Sequence, residues 1–550
     1  MKKNFIILLL FSIVIFACKK QEKDIEKPKL VVGIIIDQMR YDYLTRYSER
    51  YGNDGFKRIL KNGFSLENAH FNYIPTYTAV GHASVFTGTT PSNHGIISND
   101  WYDKKLKKSI YCVDDDNYST IGNTGKYGKK SPHRLYSTTI ADQLKLAQNG
   151  RGKNIGIAIK DRSAILPVGH SADAAYWYDG GNYNTWITSS FYRDNLPKWV
   201  EDFNLNNNAD KYLDTVWNTL YDIETYKQSI ADNNIFEGKL VGKNSPTFPK
   251  NLKKLRAKNG NYSLLKTIPA GNTFTVDFAK AAIIGENLGK TEDTDLLTIS
   301  FSSTDYVGHK YGVAAVETED TYLRLDKDLA NLFQFLDKEI GENKYTLFLT
   351  ADHAAVHVPS YLQSLKIPAH YLETRKFKDF ILGVTKKYFN SIELIENVSN
   401  YQIFLNKKKV EDLGFTIHKV AEKLADEVVN FDGIYKAVSA KTLQTTHFTS
   451  GILNSLQNGY NQKFSGDVLM IPYPATLTQG HGLTGTSHGS GYSYDTHIPI
   501  IFYGNGIEKG TSTEKYTVID IAPTIANLLK IEAPNATTGN IIKEVLKKNH

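Results

Sequence analysis

The sequence predicts an α/β protein: a large, central, mostly parallel sheet sandwiched by helices and carrying capping insertions. Three observations predict it. Continuous β-rich apolar runs recur along the chain, at Leu30–Ile36 (LVVGIII), 154–159 (NIGIAI), 296–301 (LLTISF) and Tyr345–Thr350 (YTLFLT), as expected of strands buried on both faces. The stretch 317–336 between the third and fourth runs has helical periodicity, which makes one βαβ unit. Each run is followed at once by polar residues, Asp37, Lys160, Ser302 to Asp305, and Asp352 with His353. Carboxyl ends of strands are where open α/β sheets place their ligands.

Taken in order, residues 1–17 read as a signal peptide. Lys2 and Lys3 precede an apolar run of 13 residues, Phe5 to Ala17, too short to span a bilayer comfortably. Ala17-Cys18 resembles a lipoprotein cleavage site, with Cys18 acylated. Ordinary cleavage to a soluble periplasmic product is the alternative. A polar tether, 18–28, follows. The core is expected in three parts: 29–171, 276–355 and 463–550. Residues 172–275, with YWYDGGNYNTW, and 356–462 are expected as insertions capping the active edge of the sheet. The runs 468–471 and 498–503 are later strand candidates, and Asp520 is the expected N-cap of a closing helix.

Composition narrows the function. The 550 residues are 41% hydrophobic and 22% charged, which excludes wholesale disorder and a coiled coil. A net charge of +7 spread over this length is too thin to argue for nucleic acid. Two cysteines leave no disulfide framework and no thiolate cluster, so any metal must take His and carboxylate ligands.

Such ligands are present at suitable spacing. Asp305-x-x-x-His309 puts a carboxylate and an imidazole one helical turn apart, and Asp352-His353 directly follows a strand. Asp37 ends the first strand, and GHGLTGTSHGSG offers His481 and His488 in a glycine-rich loop. PTYTAVGH, followed by ASVFTG, reads as a loop entering a helix. Thr78 would lie near that helix's N-terminus, where backbone N–H groups and the dipole favour an anion. There Thr78 is either a nucleophile beside a cation or a simple N-cap.

Together these segments resemble the alkaline phosphatase superfamily, and most closely the PafA-type phosphate-irrepressible alkaline phosphatases of the Bacteroidetes. The motifs are VVGIIIDQMR, PTYTAVGHASVFTG, GIISNDWYD, AIKDRSAILPVGH, DYVGH, TADH and GTSHGS. The resemblance implies an alkaline-phosphatase-like fold and two zinc ions about 4 Å apart, with no catalytic magnesium because Lys160 takes that space. It implies that Asp305, His309 and His488 hold one zinc, and that Asp37, Asp352, His353 and the Thr78 oxygen hold the other. His481 shares the loop, but GTSHGS is the better match, which selects His488. Thr78 would be the nucleophile, forming a phosphothreonine, with Asn99, Lys160 and Arg162 clamping the phosphoryl oxygens.

The expected substrates are therefore small phosphate monoesters, hydrolysed by a monomer in the periplasm, or attached to the outer membrane, of a Gram-negative bacterium. A phosphodiesterase or nucleotide pyrophosphatase would share Thr78 and both metal sites but not need the Lys160–Arg162 pair. A lipoprotein-anchored binding protein would leave Thr78 and the ligand set unexplained.

Overall fold

The structure is a computed structural model that describes residues 26–548, apart from 182, 207 and 479–481. The signal peptide, Cys18, most of the tether and His481 lie outside the described residues. At the centre is a ten-stranded sheet. In chain order its strands are β1 (Leu30–Ile36), β2 (Phe64–His70), β3 (Thr120–Ile121), β4 (Asn154–Ala158), β5 (Ala174–Asp179), β6 (Thr185–Ser189), β7 (Asp295–Phe301), β8 (Tyr345–Thr350), β9 (His497–Gly504) and β10 (Gly510–Thr517). Their spatial order is β10-β2-β9-β8-β1-β7-β4-β5-β6-β3.

The middle of this sheet is parallel. β1 lies between β7 and β8, pairing Ile36 with Phe301 and Ile35 with Thr350, and β4 and β5 continue the parallel set. β9 runs antiparallel to both β8 and β2, and β6 runs antiparallel to β5. Every residue of β1, β7 and β8 is buried, because helices cover both faces and leave these strands no solvated side. The shared direction brings Asp37, Lys160, Asp305 and Asp352 to one edge.

Six helices matter for the site and its support: α1 (Thr78–Thr87), α2 (Asp161–Val168), α3 (Ala270–Gly285), α4 (Ser303–Tyr311), α5 (Val316–Glu339) and α6 (Ile521–Leu528). The periodic stretch 317–336 is the body of α5, whose Leu325, Leu329, Leu332 and Leu336 are buried on one stripe.

Three expectations change. The segment with YWYDGGNYNTW forms β5 and β6 of the main sheet rather than the start of a cap. Its aromatic rings pack inward, Trp186 stacking on Phe278 of α3 at 4.0 Å between centroids. Residues Val468–Pro472, expected in the core, instead join Ile395–Ser399, Gln402–Leu405 and Ile434–Ser439 in a separate four-stranded sheet. That sheet has its own apolar core, including Ile381, Leu394, Val420, Leu424 and Val468, so a fully apolar run there does not report membership of the central sheet. Finally, Asp520 stands at the N-cap position of α6 as expected, but its side chain makes no capping hydrogen bond. Its carboxylate accepts from the Thr517 N–H and hydroxyl and from the Asn540 N–H.

Candidate active site

α1 begins at Thr78, with Tyr77 as its N-cap. Thr78 is thus the first helical residue, and the Tyr77 side chain makes no capping bond. Its Oγ1, almost fully buried, lies 3.4 Å from Arg162 Nη2 and 3.4 Å from His353 Nε2. The helix is instead tied by Asn99, whose Oδ1 accepts from the Ala79 N–H at 2.9 Å. That bond fixes the amide orientation and leaves Nδ2 as the side chain's donor.

The structure brings the six expected protein ligands into one cluster. Asp305 and His309 project from α4 one turn apart, His309 Nε2 lying 3.1 Å from Asp305 Oδ1, and His488 Nε2 is 3.7 Å from the same oxygen. These three converge tightly enough to hold one ion. A second group, Asp37, Asp305 and His353, also converges. Asp352 adjoins it, its Oδ2 being 3.5 Å from His353 Nε2. Asp305 therefore reaches toward both groups, beyond the single set expected of it.

Two features of the chain fit divalent ions here. Asp37 Oδ1 and Asp352 Oδ2 are buried without a hydrogen-bond partner, a costly arrangement unless a cation faces them. His309, His353 and His488 each set Nδ1 beside a backbone carbonyl, of Thr486, Ala354 and Thr76. Donation to that carbonyl leaves every Nε2 as a lone pair facing the carboxylates, the arrangement by which proteins orient imidazole ligands.

The electrostatics agree. Burial pushes Asp37 up to about 6, against the pull of Lys160, and burial with Asp37 alongside lifts Asp352 well above the usual carboxylate range. Burial would also lift Asp305, but His309 and Lys160 beside it hold it well below that range. Burial drives His488 down to about 3 and His353 well below its usual value, so both stay neutral and able to ligate. Three carboxylates gathered around Lys160, with His353 and His488 neutral, make a site that further positive charge would stabilise.

Lys160 follows β4 and places Nζ 2.6 Å from Asp37 Oδ2 and 2.6 Å from Asp305 Oδ2. It therefore bridges the two carboxylates of the Asp37, Asp305 and His353 group. Arg162, in the first turn of α2, divides its fork: Nη2 faces Thr78, while Nη1 donates to the Tyr111 hydroxyl at 2.9 Å. Tyr111 in turn donates to Asp161 Oδ1 at 2.6 Å.

Sequence reasoning missed Tyr111 and two further residues. Gln38 donates its backbone N–H to Asp352 Oδ1 at 3.1 Å and its side chain to Asp305 Oδ1 at 2.5 Å. His82 sets Nδ1 2.8 Å from the Thr78 carbonyl and 3.4 Å from Asp352 Oδ2. A signal for His82 existed, because it stands four residues after Thr78 and shares its helix face. Gln38 offered only its place beside Asp37. A cavity of about 280 Å³ opens onto His309, His488 and Asn99, walled by Tyr77, Tyr401 and Tyr494.

The comparisons with known proteins agree with this geometry. The family model described as type I phosphodiesterase / nucleotide pyrophosphatase matches residues 31–491. The chain is 43% identical to a protein of Myroides odoratus named calcium-transporting ATPase, over 99% of this chain and all of that one. It is equally 43% identical to alkaline phosphatase PhoV of Synechococcus elongatus, over 98% and 99% of the two chains. Alkaline phosphatase PafA of Elizabethkingia meningoseptica is 42% identical over 95% of each, and a crystal structure of PafA superposes with a TM-score of 0.91 over 95% of this chain. Among the described residues, no helix is long and apolar enough to cross a membrane. The chain belongs to the type I phosphodiesterase / nucleotide pyrophosphatase family, among the PafA-type alkaline phosphatases of the alkaline phosphatase superfamily.

Proposed function

We propose that the protein is an exported phosphomonoesterase that needs two divalent ions, zinc by its ligand set, and works through a phosphothreonine at Thr78. Asp305, His309 and His488 would hold one ion, and Asp37, Asp352, His353 and the Thr78 oxygen the other. Ions held there would supply positive charge that acidifies the Thr78 hydroxyl and steadies the departing oxygen.

The chain's own residues account for the rest. Thr78 Oγ1 forms a bond to phosphorus as the bond from phosphorus to the leaving oxygen breaks. Arg162, Lys160 and Asn99 Nδ2 answer the charge spread over the three equatorial oxygens of a loose transition state. Water then forms its bond to phosphorus as the Thr78 Oγ1–P bond breaks. The positive end of the α1 dipole, with Thr78 as its first residue, favours the same charge. No carboxylate base is assigned, because every nearby carboxylate faces an imidazole, a lysine or the ion positions.

The observation that carries the monoester reading is the placing of Arg162 Nη2 3.4 Å from Thr78 Oγ1, with Lys160 buried beside it. Two cations suit a dianion with three free oxygens better than a diester monoanion. ATP hydrolysis, which one relative's name implies, is phosphoryl transfer to water and falls within the same chemistry. The test is kcat/KM for an aryl phosphate monoester against its methyl aryl diester, on protein loaded with zinc. The monoester should lead by orders of magnitude. A preference for the diester would establish the phosphodiesterase reading that the family description also allows.

A further inference from the structure

Beside the catalytic cluster, the carboxyl ends of β4 and β5 open into a second cavity of about 650 Å³. Its wall carries Lys126, Lys129, Lys130, Lys160, Arg162 and Lys266 against only Asp114, Asp116 and Asp161. Lys129 pairs with Asp116 at 3.3 Å, and Lys130 with Asp114. The ammonium groups of Lys126 and Lys266 make no hydrogen bond or ion pair among the described residues. Lys266 is half-buried, and its burial lowers its pKa. Asp161 and Asp179 attract Lys266 without coming within ion-pair distance, so an anion held beside this half-buried cation would stabilise it further.

The two sites share residues. Lys160 and Arg162 line this cavity and also face the nucleophile and the ligand carboxylates. Arg162 Nε is buried and has no partner. Tyr111, Tyr178 and Tyr306 complete the wall, and burial raises the pKa of the Tyr111 and Tyr178 hydroxyls, so these two add no negative charge. Lys160 is already answered by Asp37 and Asp305, so the positive surplus lies with Lys126, Arg162 and Lys266, and with an Arg fork that suits phosphate geometry it selects a compact, highly charged anion.

We propose that this cavity is a second phosphate site, holding a phosphate dianion next to the one at Thr78. This rests on the reading of Lys160 and Arg162 as phosphate-holding cations. Two sources share that chemistry: inorganic phosphate released by the reaction, and the second phosphate of a bisphosphorylated substrate.

The test is equilibrium dialysis of the zinc-loaded protein against radiolabelled inorganic phosphate, in wild type and in Lys126→Met/Lys266→Met. The expected result is two phosphates per chain in wild type and one in the variant, with kcat/KM for butyl phosphate unchanged. Lys266→Met alone should show the same loss, and Lys266→Arg should restore the second phosphate. The source is read from butane-1,4-diyl bisphosphate. A several-fold fall in its kcat/KM relative to butyl phosphate in the variant identifies the substrate's own second phosphate, and an unchanged ratio identifies free phosphate. One bound phosphate, lost in Arg162→Ala and indifferent to Lys126 and Lys266, would overturn the second site and leave the catalytic one standing. No bound phosphate at all would overturn both.

Discussion

Arg162 is held at both ends of its fork, by Thr78 Oγ1 and by the Tyr111 hydroxyl. It touches no ligand carboxylate, whereas Lys160 bonds to Asp37 and Asp305. Replacing Lys160 would therefore disturb the metal ligands as well as the phosphate clamp, and Arg162→Ala is the cleaner probe. A charge-assisted hydrogen bond contributes roughly 1.5–3 kcal/mol, or about one to two orders of magnitude in rate. Arg162→Ala should lower kcat/KM for an aryl monoester by about that factor and for the matched methyl diester by much less. Equal losses on both substrates would show that Arg162 supports the fold rather than the extra charge. At this scale the sequence disclosed the groups that belong to contiguous motifs: Thr78 in PTYTAVGH, Lys160 and Arg162 in AIKDR, Asp305 and His309 in DYVGH. It concealed Tyr111, because nothing in a run of residues shows that Arg162, 51 positions later, lies 2.9 Å from it.

The elements bring those residues together through close backbone packing. α1 approaches the turn after β8 so closely that a Cβ on Gly81 would lie 2.1 Å from the Asp352 carbonyl oxygen. Only a residue without a side chain lets the nucleophile helix reach the ligand turn. Gly81→Ala should push the two apart, costing about 1–3 kcal/mol of stability as overpacking does and reducing turnover, because Thr78 and Asp352 move relative to each other. Thermal melts and kcat/KM on one monoester check this, and a variant with unchanged turnover would show that the contact does not set the site. The central strands were legible because strands buried on both faces must be apolar throughout. β5 and β6 were not, because a hairpin rich in Tyr, Trp, Asn and Gly looks like a surface loop until Trp186 is seen stacked on Phe278. Val468–Pro472 misled for the opposite reason, being buried at the centre of the smaller sheet.

At the scale of the whole molecule, stability should depend on pH through carboxylates buried away from the site. Asp328 on α5 accepts a hydrogen bond from Thr273 at 3.0 Å, and burial raises its pKa from 3.8 to about 7. Between those values the folded chain keeps a proton that the unfolded chain has lost. Stability therefore falls as pH rises from near 4 to near 7 and changes no further above it. At about 1.4 kcal/mol per pKa unit the effect is on the order of 4 kcal/mol. Asp328→Asn should remove that slope and melt higher than wild type at pH 8, as denaturation series at several pH values would show. An identical pH profile in the variant would mean that Asp328 titrates normally.

All of this converges on the Thr78 hydroxyl, buried between Arg162 and His353 at the head of α1. The most direct measurement is rapid acid quenching of the zinc-loaded protein during turnover of an aryl phosphate, followed by peptide mass spectrometry. The predicted result is one phosphate on the peptide containing Thr78, assigned to Thr78 itself and absent from Thr78→Ala, which should also lose nearly all turnover. A folded, metal-replete Thr78→Ala that hydrolyses the monoester near the wild-type rate, or a phosphate trapped on a different residue, would contradict the account.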